Sequence, residues 1–252
     1  MTDTIQALRQ ALSSAPTHGG AVGPIVALTG AGISAESGIP TFRGQGGLWR
    51  NFSPEKLATP EAFARDPRLV WEWYDWRRSV IQRASPNAGH RALAELERRV
   101  AGRGRGDAFT LVTQNVDGLH DRAGSRNIVK LHGDIWDVRC LDCGAAGRNE
   151  QVPLAPLPPH CKCGGRLRPG VVWFGEALPE EAWQIACRAS AQARILLVIG
   201  TSATVYPAAG LAQIAREGGA SLAIINPDAT PLDHLADWVV RGPSGEILPR
   251  LL

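Results

Sequence analysis

Short runs of uninterrupted apolar side chains constrain this chain more than any other feature. Ile25-Val26-Ala27-Leu28 ends in Thr29-Gly30, similar runs recur at 109–113, 195–200 and 221–226, and a weaker one lies at 237–241. A strand that is apolar throughout, with no polar alternation, has to be covered on both faces, which is the situation of a strand inside a parallel sheet. Stretches with helical spacing lie between the runs at 69–84, 88–101, 180–193 and 208–217, and another opens the chain at 4–13. Strands alternating with helices predict an α/β fold built on a doubly wound, Rossmann-like parallel sheet.

Two regions break this rhythm. Residues 41–67 are rich in glycine, proline and aromatics and hold no strand-sized run, which predicts a helical insertion extending to about residue 90. Residues 133–178 carry four cysteines and the prolines Pro153, Pro156, Pro158 and Pro159, and read as a second, smaller inserted module. A chain of 252 residues holds one such catalytic domain with its insertions. A net charge of +3 and the lack of a lysine or arginine run leave no footprint for nucleic acid. The first residues lack a basic segment followed by an apolar one, and no run approaches the roughly 20 apolar residues of a membrane span. The expectation is a cytoplasmic protein without a membrane partner.

The segment Gly30-Ala31-Gly32-Ile33-Ser34-Ala35 fits G-x-G-x-x-G/A directly after a strand. Glycines there tighten the turn and let backbone N–H groups approach a pyrophosphate, although a tight turn without a ligand has the same spelling. A hydride-transferring dehydrogenase would continue with a full helix and a second strand ending in an acid about 20 residues on. Here Gly38-Ile39-Pro40 ends any helix at once, and Thr41-Phe42-Arg43-Gly44 follows as an element able to close over a cofactor.

Cys140-x-x-Cys143 and Cys161-x-Cys163 stand 17 residues apart. In a reducing compartment such pairs read as metal ligands, and four thiolates with no open position suit one structural zinc. The second pair is tighter than usual, which leaves His160 as an alternative to Cys161 or Cys163. Cys187 falls in a helix and is expected to be buried. Tyr74 and Arg77, at i and i+3, share a helix face. A phenol and a guanidinium side by side can receive a carboxylate, the bland alternative being an exposed tyrosine and an arginine paired with a nearby acid. Leu69, Trp73, Trp76 and Val80 are expected to form that helix's core stripe. His132 follows the apolar segment 128–131 and is expected at a strand end, where a side chain with pKa near 6.5 can take a proton at cellular pH.

In chain order, residues 30–43, Thr113-Gln114-Asn115-Val116-Asp117-Gly118-Leu119-His120, Leu131-His132-Gly133-Asp134, the cysteine pairs, Val171-Val172-Trp173-Phe174-Gly175-Glu176, Gly200-Thr201-Ser202 and Ile225-Asn226 resemble the sirtuins, the NAD-dependent protein-lysine deacylases. The resemblance implies that NAD is consumed as a co-substrate. The amide oxygen of an acyl-lysine attacks C1′ of the nicotinamide ribose, and nicotinamide leaves. His132 acts as general base on a ribose hydroxyl, with Asn115 beside it in the catalytic set, and O-acyl-ADP-ribose is released. It places Gly30, Ala31, Gly32, Ser34, Ala35, Phe42, Arg43, Gln114, Asn115, Val116, Asp117, His132, Gly200, Thr201, Ser202, Asn226 and Ser244 against NAD. Val172, Trp173, Phe174, Gly175 and Glu176 are implied to line the channel for the acyl-lysine protein by strand addition. The Y-x-x-R pair resembles the class III members, which remove succinyl, malonyl and glutaryl groups. Gly170 stands where the family usually has a histidine, and a local packing change is expected there. The chain is expected to work as a monomer. The alternatives are a mono-ADP-ribosyltransferase, a non-catalytic NAD-binding module and a dehydrogenase.

Overall fold

A computed structural model describes residues 2–13, 24–42, 48, 53–101 and 108–252. Six strands form the main sheet: β1 (Ile25–Thr29), β2 (Phe109–Thr113), β3 (Ile128–Lys130), β7 (Ile195–Ile199), β8 (Ser221–Ile225) and β9 (Trp238–Val240). All neighbours are parallel, in the order β3-β2-β1-β7-β8-β9. Side chains alternate between the faces of a strand, so each run supplies two cores at once. Ile25, Ala27, Ile195, Leu197, Ala223 and Ile225 enter one cluster. Val26, Leu28, Leu196, Val198, Leu222 and Ile224 enter the other.

Helices cover both faces. The first cluster is closed by α1 (Thr2–Ser13), α6 (Ala88–Ala101) and α10 (Ser244–Ile247), through Leu8, Leu93 and Ile247 among others. The second is closed by α8 (Glu180–Gln192) and α9 (Leu211–Glu217), through Ala186, Leu211 and Ala215. Cys187, on α8, is half-buried against that second cluster. The expected α/β sandwich is therefore present. β3, only three residues long, is the short apolar segment expected to end at His132.

The chain leaves the sheet twice. After β1 and the single turn α2 (Gly32–Ala35) come α3 (Pro54–Leu57), α4 (Pro60–Arg65) and α5 (Pro67–Arg83), each with proline in its first turn. Thr59 accepts the Ala62 N–H at 3.1 Å and Asp66 the Leu69 N–H at 2.9 Å, so α4 and α5 start on side-chain caps. After α7 (Leu119–Ala123) and β3, a three-stranded antiparallel sheet orders β5 (Ala146–Arg148), β4 (Gly133–Cys140) and β6 (Leu167–Val171). A third apolar cluster welds the two excursions together, with Phe63, Trp71, Tyr74, Ile135, Trp136 and Trp173 at its centre.

The stripe expected on α5 is displaced. Leu69 and Trp76 are exposed, whereas Val70, Trp71, Trp73, Tyr74, Arg77, Arg78 and Ile81 are buried. Two arginines sit on the core face because their planar heads stack on rings. Arg78 lies near the Trp71 and Trp136 rings and gives its Nε–H to Ile135 O at 2.9 Å.

Candidate active site

The strand order reverses between β1 and β7, and this switch point opens at the carboxyl ends of the strands. The loops leaving β1 and β7 meet there in backbone contact. Gly32 N–H reaches Gly200 O at 2.7 Å, and a Cβ on Gly32 would lie 2.8 Å from Gly200 Cα. A Cβ on Gly30 would lie 2.7 Å from the Thr201 Cβ. The glycines thus answer to loop-on-loop packing, a requirement separate from the approach of any ligand.

Next to them lies a hydrogen-bonded group drawn from β1, α2 and the segment after β2. Ser34 Oγ donates to Asp117 Oδ2 at 2.7 Å and receives Asn115 Nδ2 at 3.2 Å, while Asn115 Nδ2 also reaches Gly30 O at 3.0 Å. Burial pushes the Asp117 carboxyl up, opposed by the bonds from Leu119 N–H and the Ser34 hydroxyl. Two buried histidines support the group from beneath, their rings 4.8 Å apart. His90 Nε2 lies 3.4 Å from Ser34 Oγ, and its Nδ1 accepts Asn87 N–H at 3.3 Å. His120 Nε2 lies 3.0 Å from Thr29 Oγ1, which in turn donates to Thr113 Oγ1 at 2.9 Å. Burial takes His90 down to about 4 and His120 down to about 3.

His132 sits just past the end of β3, as its position after an apolar segment predicted. Its Nδ1 lies 3.0 Å from Gln114 O. A carbonyl only accepts, so Nδ1 carries the proton and Nε2 is left with a lone pair. Burial lowers the imidazole pKa, opposed by the Gln114 bond, and the ring stays neutral at pH 7. Gln114 Nε2 reaches Thr201 Oγ1 at 3.2 Å, which bridges the β2 and β7 loops across the switch point.

Tyr74 and Arg77 are both buried, so the tyrosine is not the exposed one of the bland alternative. The Tyr74 Oη accepts Trp173 Nε1–H at 2.9 Å. The Arg77 guanidinium lies 5.1 Å from the Phe42 ring, 4.9 Å from that of Trp73 and 5.6 Å from that of Tyr74. It forms no ion pair with a carboxylate among the described residues. Burial lowers its pKa, opposed by the neighbouring Tyr74 hydroxyl and the Asp117 carboxylate. A buried cation walled by rings, with Asp117 nearby but no carboxylate in direct contact among the described residues, is suited to a carboxylate brought by a ligand.

Residues 173–176 form a tight turn, in which Trp173 is buried and Phe174 half exposed. Glu176 receives Trp173 N–H at 2.8 Å and Arg168 through both nitrogens, at 2.5 and 2.9 Å. Its carboxylate therefore shapes the turn. Val172 N–H reaches His132 O at 3.0 Å and ties the turn to the histidine. Gly170 has no room for a side chain, since a Cβ there would lie 2.6 Å from the Asp137 Cβ.

The four cysteines converge. Cys140 and Cys163 Sγ are 3.6 Å apart, Cys143 and Cys161 3.7 Å, and all four sulfurs lie within 4.8 Å. A tetrahedral zinc with Zn–S of ~2.3 Å sets sulfur–sulfur edges of about 3.8 Å, so the donor set fits that ion. His160 stays outside the cluster, and both cysteines of the tight pair belong to it.

The other residues assigned from the sequence lie along the same strand ends. Ala31 and Ala35 bound α2, and the Val116 carbonyl accepts Ile135 N–H at 2.9 Å. Ser202 Oγ lies 2.9 Å from Thr204 Oγ1, and Asn226 Nδ2 reaches Asp228 O at 2.8 Å. Ser244 Oγ is buried with no hydrogen-bond partner among the described residues. Arg43 lies outside the described residues. Amide, hydroxyl and backbone groups in this row are the donors and acceptors a dinucleotide requires, and the orphaned Ser244 hydroxyl fits such an occupant.

The Sir2 family model matches residues 30–207, most of the chain. The chain belongs to the Sir2 family. A relative from Aquifex aeolicus called NAD-dependent protein deacylase is 56% identical over 214 residues, 84% of this chain and 87% of the relative. One from Pyrobaculum aerophilum called NAD-dependent protein deacylase 2 is 55% identical over 228 residues, 90% of this chain and 89% of the relative. Among solved structures, a mutant Sir2 homologue in complex with 2′-O-acetyl ADP ribose superimposes with a TM-score of 0.88 at 48% identity, covering 98% of this chain and 94% of that one.

In this Sir2 chain the sequence reading overlooked the residues that support the site from behind. His90, Thr29 and Arg168 were unremarked, and His120 was left without a role. An isolated histidine or arginine carries no spacing signal, and only tertiary contact puts His90 under Ser34 or Arg168 against Glu176.

Proposed function

We propose that this chain is an NAD-dependent protein-lysine deacylase with a preference for acyl groups that end in a carboxylate. The observation that carries the reading is His132, with Nδ1 committed to the Gln114 carbonyl and Nε2 available as a base at the switch point. One acyl-lysine, one NAD and one water give free lysine, nicotinamide and O-acyl-ADP-ribose. Asn115, Ser34 and Asp117 form the polar wall against which the nicotinamide ribose is oriented, and their mutual bonds hold that wall rigid. The neutral His132 takes the proton of a ribose hydroxyl so that this oxygen can attack the acyl carbon. The row of groups from Gly30 to Ser244 binds the dinucleotide. Zinc on the four cysteines supplies no chemistry and holds β4–β6 together.

Tyr74 and Arg77 receive the distal carboxylate of a succinyl or malonyl group, and Val172–Glu176 border the peptide. Residues 41–90 and 133–178 serve as two modules inserted into one catalytic domain. Among the described residues no helix is long and apolar enough to cross a membrane. We place the enzyme in the cytoplasm, acting as a monomer on acyl-lysine proteins.

The test is mass spectrometry of succinyl- and acetyl-lysine peptides incubated with NAD. Equimolar nicotinamide, O-acyl-ADP-ribose and free lysine are expected, and protein-bound ADP-ribose without acyl transfer would refute deacylation. Arg77→Met removes a charge-assisted bidentate contact and lowers the succinyl-over-acetyl ratio of kcat/KM by about 10- to 100-fold. An unchanged ratio removes Arg77 from acyl recognition.

A further inference from the structure

The turn that carries His132 is bracketed by charge. Lys130, the last residue of β3, and Asp134, the second of β4, each stand two residues from the histidine. Their side chains meet across the turn, Lys130 Nζ to Asp134 Oδ2 at 2.8 Å. The same ammonium reaches Asp121 Oδ1 on α7 at 2.9 Å. Asp134 has a side chain only 3% exposed, and its other oxygen receives Trp136 N–H at 2.9 Å. Arg148 on β5 lies 3.5 Å from Asp134 as a second cation. A carboxylate this buried is retained as an ion only while a cation faces it.

We propose that Lys130 is a positioning residue for His132, acting through the buried carboxylate of Asp134 and joining the histidine turn to the Asn115–Asp117 segment through Asp121. The connection to that segment follows from the chain, because Asp117 caps the start of α7 by accepting Leu119 N–H at 2.8 Å. A single ammonium thus ties the loop that carries Asn115 to the loop that carries the base. Burial alone would lower the Lys130 pKa, but its bonds to Asp134 and Asp121 hold it above the ordinary lysine value, so the charge persists at any assay pH.

The pair also places opposite charges on the two sides of the histidine turn, so that replacing one partner leaves the other's charge unbalanced there. With the pair intact, burial lowers the His132 pKa, opposed by the Gln114 bond. The other charged groups around the turn are Asp121 on α7, Asp117 ahead of it, Arg78 on α5, Asp137 on β4 and Arg148 on β5, with neutral His120 behind. All of these stay in place in the variants below.

The inference rests on His132 as the base, and the experiment keeps the two apart. The acid limb of kcat/KM against pH is measured for wild type, Lys130→Met, Asp134→Asn and the double variant. Lys130→Met removes the ammonium while Arg148 keeps Asp134 ionised, and moves the limb up by about half a pH unit or more; Asp134→Asn moves it down by a similar amount. The double variant restores it. In Lys130→Met kcat falls about ten-fold or more while KM for the acyl-peptide changes little, and Lys130→Arg recovers most of the loss. Circular dichroism and binding of ADP-ribose confirm folding, and the Asp134→Asn and double variants carry the test if Lys130→Met does not fold. Singles that leave the limb in place, or move it in one direction, overturn the proposal. Full activity in His132→Ala overturns the assignment of the base instead.

Discussion

Mild acid should destabilise this protein steeply, and the buried pair His90 and His120 should account for most of the loss. Both side chains are sealed from solvent, at 0% and 2% exposure. In the unfolded chain each titrates near pKa ~6.5, whereas in the fold burial holds them at about 4 and about 3. Above pH 6.5 both are neutral in either state and contribute no pH dependence. As pH falls below 6.5 the unfolded chain takes up protons that the fold refuses, so stability declines. The decline ends for each ring only at its folded pKa. At pH 5 each ring contributes about 2 kcal/mol of lost stability, about 4 kcal/mol for the pair, with a local slope near 2.5 kcal/mol per pH unit. This is a large share of the total stability of an ordinary domain. Urea unfolding from pH 8 to pH 4.5, on wild type and on a His90→Gln/His120→Gln variant, measures it directly. The variant starts less stable, since it loses two packed rings, but its curve should flatten by about 2.5 kcal/mol per pH unit around pH 5. Both proteins keep the four-cysteine site, so acid release of metal affects them alike. Parallel curves would show that the rings do not titrate as their burial requires, and the reasoning would fail.

Other outcomes follow from single sites. The pH dependence of kcat/KM should show its acid limb below 6.5, because His132 is most basic-ready where burial keeps it neutral; His132→Ala should lose about 100-fold or more of the activity. Plasma emission spectroscopy should find one zinc per chain, and a chelator or Cys143→Ser should unfold the β4–β6 sheet, seen as lost activity and a lower melting temperature. Gly170→Ala places a Cβ 2.6 Å from that of Asp137 and should cost about 1–3 kcal/mol in urea unfolding, whereas a change below about 0.5 kcal/mol would show that β4 yields freely.

Much of the fold was legible because burial on both faces leaves a direct mark on composition. The five-residue runs at β1, β2, β7 and β8 announce themselves, and the ends of α6 and α8 fall within a residue of the periodic pattern. Other features left no mark. β3 has three residues, too few for any period; the apolar segment 128–131 points to a strand end, but only the pairing with β2 places it in the sheet. On α5 the apolar pattern pointed to Leu69 and Trp76, yet the buried face runs through Arg77 and Arg78. Arginine reads as polar in a one-dimensional pattern, while in the core its stem and flat head pack against rings.

By itself the sequence determined what chemistry was present: an imidazole after a strand, four thiolates in two close pairs, a phenol beside a guanidinium, glycines at a strand end. These are properties of residue type and short spacing. Tertiary structure decided how each group is used. Gln114 O picks the proton-bearing nitrogen of His132 from 18 residues away, and Trp173 meets the Tyr74 hydroxyl across 99 residues. Whether Cys161 or His160 completed the metal site was likewise left open by spacing and answered by where the four sulfurs converge. The physical reason is common to all three. Hydrogen bonds and ligand geometry act over about 3 Å, and only the folded chain sets which groups come that close.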